Sequence, residues 1–169
     1  QEQDDLLHFV LAARNKIQLE AVAEKLAKID ARVNTRLIAC DLSRVESVST
    51  IDAHLAELFD GVEPHYTSSS KKPKSFGHVV LLHNAGSLGN PNQLCKAVSI
   101  DGEWQRYEHY RLNVFSVMEL TAAVVRRTEA LLCSPPIVAR HIINISSLAA
   151  LQSFIGLVDY CTTKAAREA

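Results

Sequence analysis

Four short apolar runs, the first two each followed by residues that recur at the helical period, constrain this chain more than anything else in it. They are Leu6 to Ala13 (LLHFVLAA), Thr35 to Cys40 (TRLIAC), His78 to Leu82 (HVVLL) and Val138 to Ile145 (VARHIINI). The first is apolar almost throughout, the pattern of a strand covered on both faces as in a parallel sheet. After it, Asn15-Lys16-Ile17-Gln18 offers a capping-box-like helix start, and Leu19, Val22, Ala23 and Leu26 follow along one face. After the second run and Asp41-Leu42, Ser43 and Glu46 form an S-x-x-E start for a helix carrying Val48, Ile51, Leu55 and Leu58. Two strand-then-helix units in succession predict an α/β fold with a parallel sheet.

Farther along, Trp104, Tyr107, Val114, Val117 or Met118, Ala122 and Val125 trace one long helix, with Asn113 set among Leu112, Val114 and Phe115. The stretch from Pro64 to Ser75 is polar, serine-rich and basic with Pro73 inside it, and reads as a surface loop. Ser87 to Gly102 reads as an irregular segment lining one side of a cleft, and Pro135-Pro136 precede the fourth strand. There is no internal repeat, so residues 1–169 are expected to form a single domain without a second one.

Composition narrows the function classes. A chain of 169 residues with 47% apolar and 22% charged content matches one globular domain able to bury a core. A net charge of −1 gives no electrostatic case for nucleic acid or an anionic membrane, and the Lys71, Lys72, Lys74 cluster reads as a solvated loop. No apolar run approaches the ~20 residues that cross a bilayer, and a cytosolic setting is expected. The four cysteines and seven histidines show no metal-ligand spacing, so no metal is expected and the thiols are read as reduced.

The chemistry is concentrated between Ile142 and Arg167. The fourth apolar run ends in Ser146-Ser147; Tyr160 comes thirteen positions after Ser147, and Lys164 four after Tyr160 in a segment of helical composition. Four apart on a helix is one face. An ammonium beside a phenol favours the phenolate, and the pair makes a proton donor that a hydroxyl at the strand mouth complements by holding a carbonyl oxygen. Of the two serines, Ser147 is preferred, because successive side chains of a strand point to opposite faces. The plainer alternative is an exposed tyrosine and a solvated lysine on an amphipathic helix.

In order, spacing and context, Ser147 with Tyr160-x-x-x-Lys164 resembles the short-chain dehydrogenases and reductases. Ala13-Arg14-Asn15, Asp41-Leu42, Asn84-Ala85-Gly86-Ser87-Leu88-Gly89, Asn144 to Leu148 and Lys164-Ala165-Ala166-Arg167 extend the likeness over nearly the whole chain. Within the family it is most similar to the branch that reduces the side-chain ketone of a pterin in tetrahydrobiopterin synthesis; general carbonyl and steroid reductases are the alternative. The resemblance implies a Rossmann-type doubly wound parallel sheet, an NADP(H) cofactor and a homodimer. It makes Asn113, Ser147, Tyr160 and Lys164 catalytic, with Asn113 holding a water that connects Lys164 to solvent and Lys164 binding the nicotinamide ribose. It assigns Arg14, Asn15, Asp41, Leu42, Asn84, Ala85, Gly86, Tyr160 and Lys164 to the cofactor, and Ser147, Leu148 and Tyr160 to the substrate. Arg14, with no acid beside it, suits a 2′-phosphate, for which the plainer alternative is an arginine that only ends a strand. The family's glycine-rich pyrophosphate turn has no counterpart in these residues, and the sequence stops within the segment carrying Lys164. It is therefore expected to be a piece of a longer reductase incomplete at both ends, or a truncated product without catalysis.

Overall fold

A computed structural model describes residues 7–59, 77–89, 103–132 and 139–169. The loop expected at 64–75, the segment from residue 90 to 102 and Pro135-Pro136 lie outside the described residues. The chain divides into two compact units, Gln1–Leu42 and Ser43–Ala169.

The first unit is a strand, a helix and a strand. β1 (Leu7–Ala13) and β2 (Val33–Ala39) run parallel, in register from Leu7 opposite Val33 to Ala13 opposite Ala39. Between them α1 (Lys16–Ile29) starts where the polar quartet predicts, with the Asn15 side chain accepting the Gln18 N–H at 3.1 Å. That cap satisfies one of the donors left open at a helix start. At its other end the Asp30 N–H donates to the Leu26 carbonyl, and Arg32 chelates the Asp30 carboxylate at 2.7 Å, which holds that carboxyl down near 2. Leu19 and Ile38 are buried, whereas Leu7 and Phe9 are exposed.

In the second unit α2 (Val45–Phe59) buries Ile51 and Leu55, and packs on α4 (Ser116–Leu132), which buries Leu120, Ala123 and Val124. Arg127 on α4 clamps Asp52 on α2 with two hydrogen bonds of 2.9 and 3.1 Å. β3 (His78–His83) and β4 (Ala139–Asn144) form a second parallel pair, from His78 opposite Ala139 to His83 opposite Asn144. Ile145 prolongs the ladder, its N–H donating to the His83 carbonyl at 3.1 Å. α5 (Val158–Glu168) follows a short 3-10 turn, Leu148–Ala150, and packs against it.

The long helix expected from Trp104 onward is in three pieces. α3 (Glu103–Tyr110) passes into a π turn, Arg111–Phe115, and then into α4. Within the turn the Ser116 N–H reaches back five residues to Arg111, while the Ser116 hydroxyl donates to the Leu112 carbonyl at 2.7 Å. Arg111, buried, is held by Glu119 at 2.6 Å. Among the described residues no helix is long and apolar enough to cross a membrane.

Candidate active site

Of the residues singled out in the sequence, Asn84 to Gly86 follow β3 and Ser147 follows β4, and the π turn explains how Asn113 joins them. Asn113 lies in that turn and is wholly buried. Its Oδ1 accepts the Ser87 N–H and its Nδ2 donates to the Ser87 carbonyl, both at 2.9 Å, so the side chain grips the backbone just beyond β3 like a strand partner. The second amide hydrogen points between His109 Nε2 at 3.1 Å and Thr163 Oγ1 at 3.2 Å. Thr163 in turn donates to the Tyr160 carbonyl at 2.9 Å. One asparagine thus joins the segment after β3, the bulged helix and the helix that bears Tyr160.

Lys164 is 4% exposed, which excludes the solvated lysine that the spacing left open. Its Nζ donates to the Ile145 carbonyl at 2.9 Å and stands 5.7 Å from the centre of the Tyr160 ring. An ammonium has three donors, so two remain. Burial pushes its pKa down, and the Arg167 charge adds to that, with Glu168 opposing. Tyr160, in the first turn of α5, is half-buried.

Ser147 has extended backbone and caps the 3-10 turn, its Oγ accepting the Ala149 N–H at 3.2 Å. That contact uses a lone pair and leaves the hydroxyl proton to donate elsewhere. Ser146 and Leu148 are exposed.

Gly86 is closely backed by side chains. A Cβ there would lie 3.3 Å from Asn113 Oδ1, 3.5 Å from Arg167 Nη1 and 3.8 Å from Lys164 Nζ, so three polar side chains back one exposed stretch of bare backbone. Asn84 is exposed and Ala85 half-buried beside it. Three residues on, Gly89 has a φ of +74°, and a Cβ there would come within 3.2 Å of His109 Nδ1.

In the first unit, Arg14 follows β1 and is exposed, with no ion pair among the described residues. Asn15 is committed to capping α1, Asp41 is half-buried and Leu42 buried. Taken unit by unit, a guanidinium without an ion pair among the described residues suits a phosphate, and the exposed Gly86 backbone near Lys164 Nζ suits a ribose, so the residues of each unit fit part of such a cofactor. Sequence reasoning missed Ser87, His109, Thr163 and Arg167 as parts of this network. Ser87 and Arg167 carried a signal, in the runs Asn84 to Gly89 and Lys164 to Arg167. Among the described residues no group of histidine, cysteine, aspartate or glutamate could hold a metal.

The chain is similar to known proteins. The family described as short chain dehydrogenase matches residues 67–169. Sepiapterin reductase from Xenopus laevis is 30% identical over 94% of this chain and 53% of its own length, and that from Xenopus tropicalis is 31% identical over 94% and 54%. The chain thus spans about half the length of the curated relatives it matches. Among solved structures, L-sorbose reductase from Gluconobacter frateurii, in complex with NADPH and L-sorbose, superposes with a TM-score of 0.69 at 23% identity, over 94% of this chain and 50% of that one. The fold is accordingly the Rossmann type, with both strand pairs parallel as expected.

Proposed function

The chain belongs to the short chain dehydrogenase family, and from that premise we propose that the protein is an oxidoreductase that reduces a ketone with NADPH, the side-chain carbonyl of a pterin being its substrate. The observation that carries the reading is the buried Lys164, fixed by the Ile145 carbonyl within 5.7 Å of the Tyr160 ring at the mouth of β4. A lysine kept charged there at the cost of desolvation has little structural purpose, and beside a phenol it has a chemical one.

When bound, the nicotinamide supplies a hydride to the carbonyl carbon. Tyr160 donates its proton to the carbonyl oxygen, and the Ser147 hydroxyl donates a hydrogen bond to the same oxygen as charge builds on it. The two free N–H groups of Lys164 meet ribose hydroxyls, and the ammonium favours the phenolate left after transfer. A water linking Lys164 to solvent at Asn113 returns the proton; Asn113 Oδ1 and Lys164 Nζ both lie within 4 Å of where a Gly86 Cβ would stand. Asn84, Ala85 and Gly86 offer backbone and side chain to the nicotinamide half. Asn15, Asp41 and Leu42 serve the adenosine half, and Arg14 receives the 2′-phosphate. Leu148, exposed beside Ser147, gives the substrate an apolar contact. The pterin follows from the sepiapterin reductases that match, and the choice of NADPH is supported by Arg14 and by the NADPH in the L-sorbose reductase complex. A homodimer is part of the same reading.

In the full-length protein Tyr160→Phe should lower kcat by about a hundredfold or more while NADPH binding, followed by fluorescence, stays within a few-fold. Near-normal turnover would remove Tyr160 from the role. Substrate is tested separately, by comparing kcat/KM on sepiapterin with that on an aromatic diketone and a hydroxysteroid. A site that hydrogen-bonds the pterin should prefer it by about a thousandfold or more, and equal values would leave a general carbonyl or steroid reductase.

A further inference from the structure

Arg167, one turn beyond Lys164 on α5, is buried, and its side chain does something the proposed chemistry does not use. Its Nη2 donates to the His83 carbonyl at 2.7 Å and its Nη1 to the Ala85 carbonyl at 3.0 Å. Among the described residues no carboxylate lies within ion-pair distance of it, and Nε is buried without a hydrogen-bond partner. Burial works against its charge; Tyr160 and Glu168 act in its favour. Spending a buried guanidinium on two neutral carbonyls is an expensive way to fill space, since an apolar side chain of similar volume would pack there at less cost. The fork does what an apolar group cannot: it fixes two carbonyls two residues apart, at the end of β3, in one orientation.

The residue is tied from its other side as well. The Asn144 amide donates to the Arg167 main-chain carbonyl at 3.2 Å, so α5 is bound at one position to the ends of both β3 and β4. Arg167 Nη1 and Lys164 Nζ both lie within 4 Å of the point a Gly86 Cβ would occupy. The stretch from His83 to Gly86 is therefore registered against the helix that carries Tyr160 and Lys164.

Resting on the ketone-reductase reading, we propose that Arg167 is a positioning residue for hydride transfer: it sets the Ala85-Gly86 backbone, on the nicotinamide side, at a fixed place relative to Tyr160 and Lys164. Lysine at this position keeps the charge but reaches only one of the two carbonyls; glutamine loses the charge and the fork. The test uses the full-length protein and its Arg167→Lys and Arg167→Gln variants, with NADPH and the ketone that the wild type turns over. The rate of NADPH oxidation in a single turnover is measured by stopped-flow absorbance and expressed per folded molecule, alongside the melting temperature. Loss of both charge-assisted hydrogen bonds should slow that step about ten- to a hundredfold in the glutamine variant, with the lysine variant, which loses one, between it and wild type. A purely structural arginine would lower the melting temperature and leave the rate per folded molecule unchanged, and that result overturns the proposal. Failure of both variants to fold overturns it too, because it assigns Arg167 to stability alone. Tyr160→Phe, run in parallel, separates the two ideas: if it keeps its turnover the reductase reading falls, whereas its loss beside unaffected Arg167 variants removes only the strut.

Discussion

His83 shows how one side chain at the end of a strand couples this site to pH. It is buried, with Nε2 2.9 Å from Thr121 Oγ1, and burial first and the Arg167 charge second push its pKa from 6.5 down to about 4. The folded protein therefore holds a neutral imidazole where the unfolded chain already binds a proton. Its contribution to stability is complete above about pH 6.5 and is lost as the pH falls towards 4, up to roughly 3 kcal/mol. Urea unfolding of wild type and His83→Gln at pH 7 and pH 4.5 checks this. The glutamine keeps a polar group for Thr121 and does not titrate, so the variant should lose about 2 kcal/mol less than wild type over that range; equal losses would show that His83 is not the group responsible. Legibility at this scale depended on where the partners lie. Tyr160 and Lys164 are four apart on one helix and were readable as a pair, whereas the carbonyls held by Arg167 are 82 and 84 positions away and are main-chain atoms, which leave no trace in side-chain identity.

Elements were legible where a local rule governed them, and less so where tertiary packing did. Asn15 capped α1 as its spacing to Gln18 indicated, because a cap is a contact between near neighbours. β1, β2, β3 and β4 fell within about two residues of the apolar runs, since the runs themselves are what the sheets require. The expectation of cover on both faces of the first run did not hold evenly: Leu7 and Phe9 are exposed. The π turn was invisible to periodicity. A period of 3.6 left Val117 and Met118 as equal choices for the buried stripe, and an inserted residue rotates the following face by about 100°. The structure settles it, with Val117 half-buried, Met118 exposed, Ala122 exposed and Ala123 wholly buried. The same extra residue accompanies the inward turn of Asn113, so the feature that spoiled the helical pattern belongs to the site.

For the molecule as a whole, the proposed reading has cofactor choice and proton chemistry draw on different parts of the chain. Arg14 belongs to the first unit, and Ser147, Tyr160 and Lys164 to the second. The roles proposed for them should separate under substitution, because residues without shared partners act nearly additively. Arg14→Ser removes the guanidinium proposed to meet the 2′-phosphate, and nothing in it touches the reacting carbonyl. In the full-length protein it should raise KM for NADPH about ten- to a hundredfold, the worth of a charge-assisted pair, and leave kcat at saturating NADPH within a few-fold. NADH has no 2′-phosphate, so its kcat/KM should hardly change and the preference between the two cofactors should narrow by the same factor. Tyr160→Phe should do the reverse, lowering kcat equally with either cofactor. Steady-state kinetics of both variants with NADPH and NADH decide the matter: an Arg14→Ser enzyme with an unchanged cofactor ratio would reduce Arg14 to a strand-end arginine.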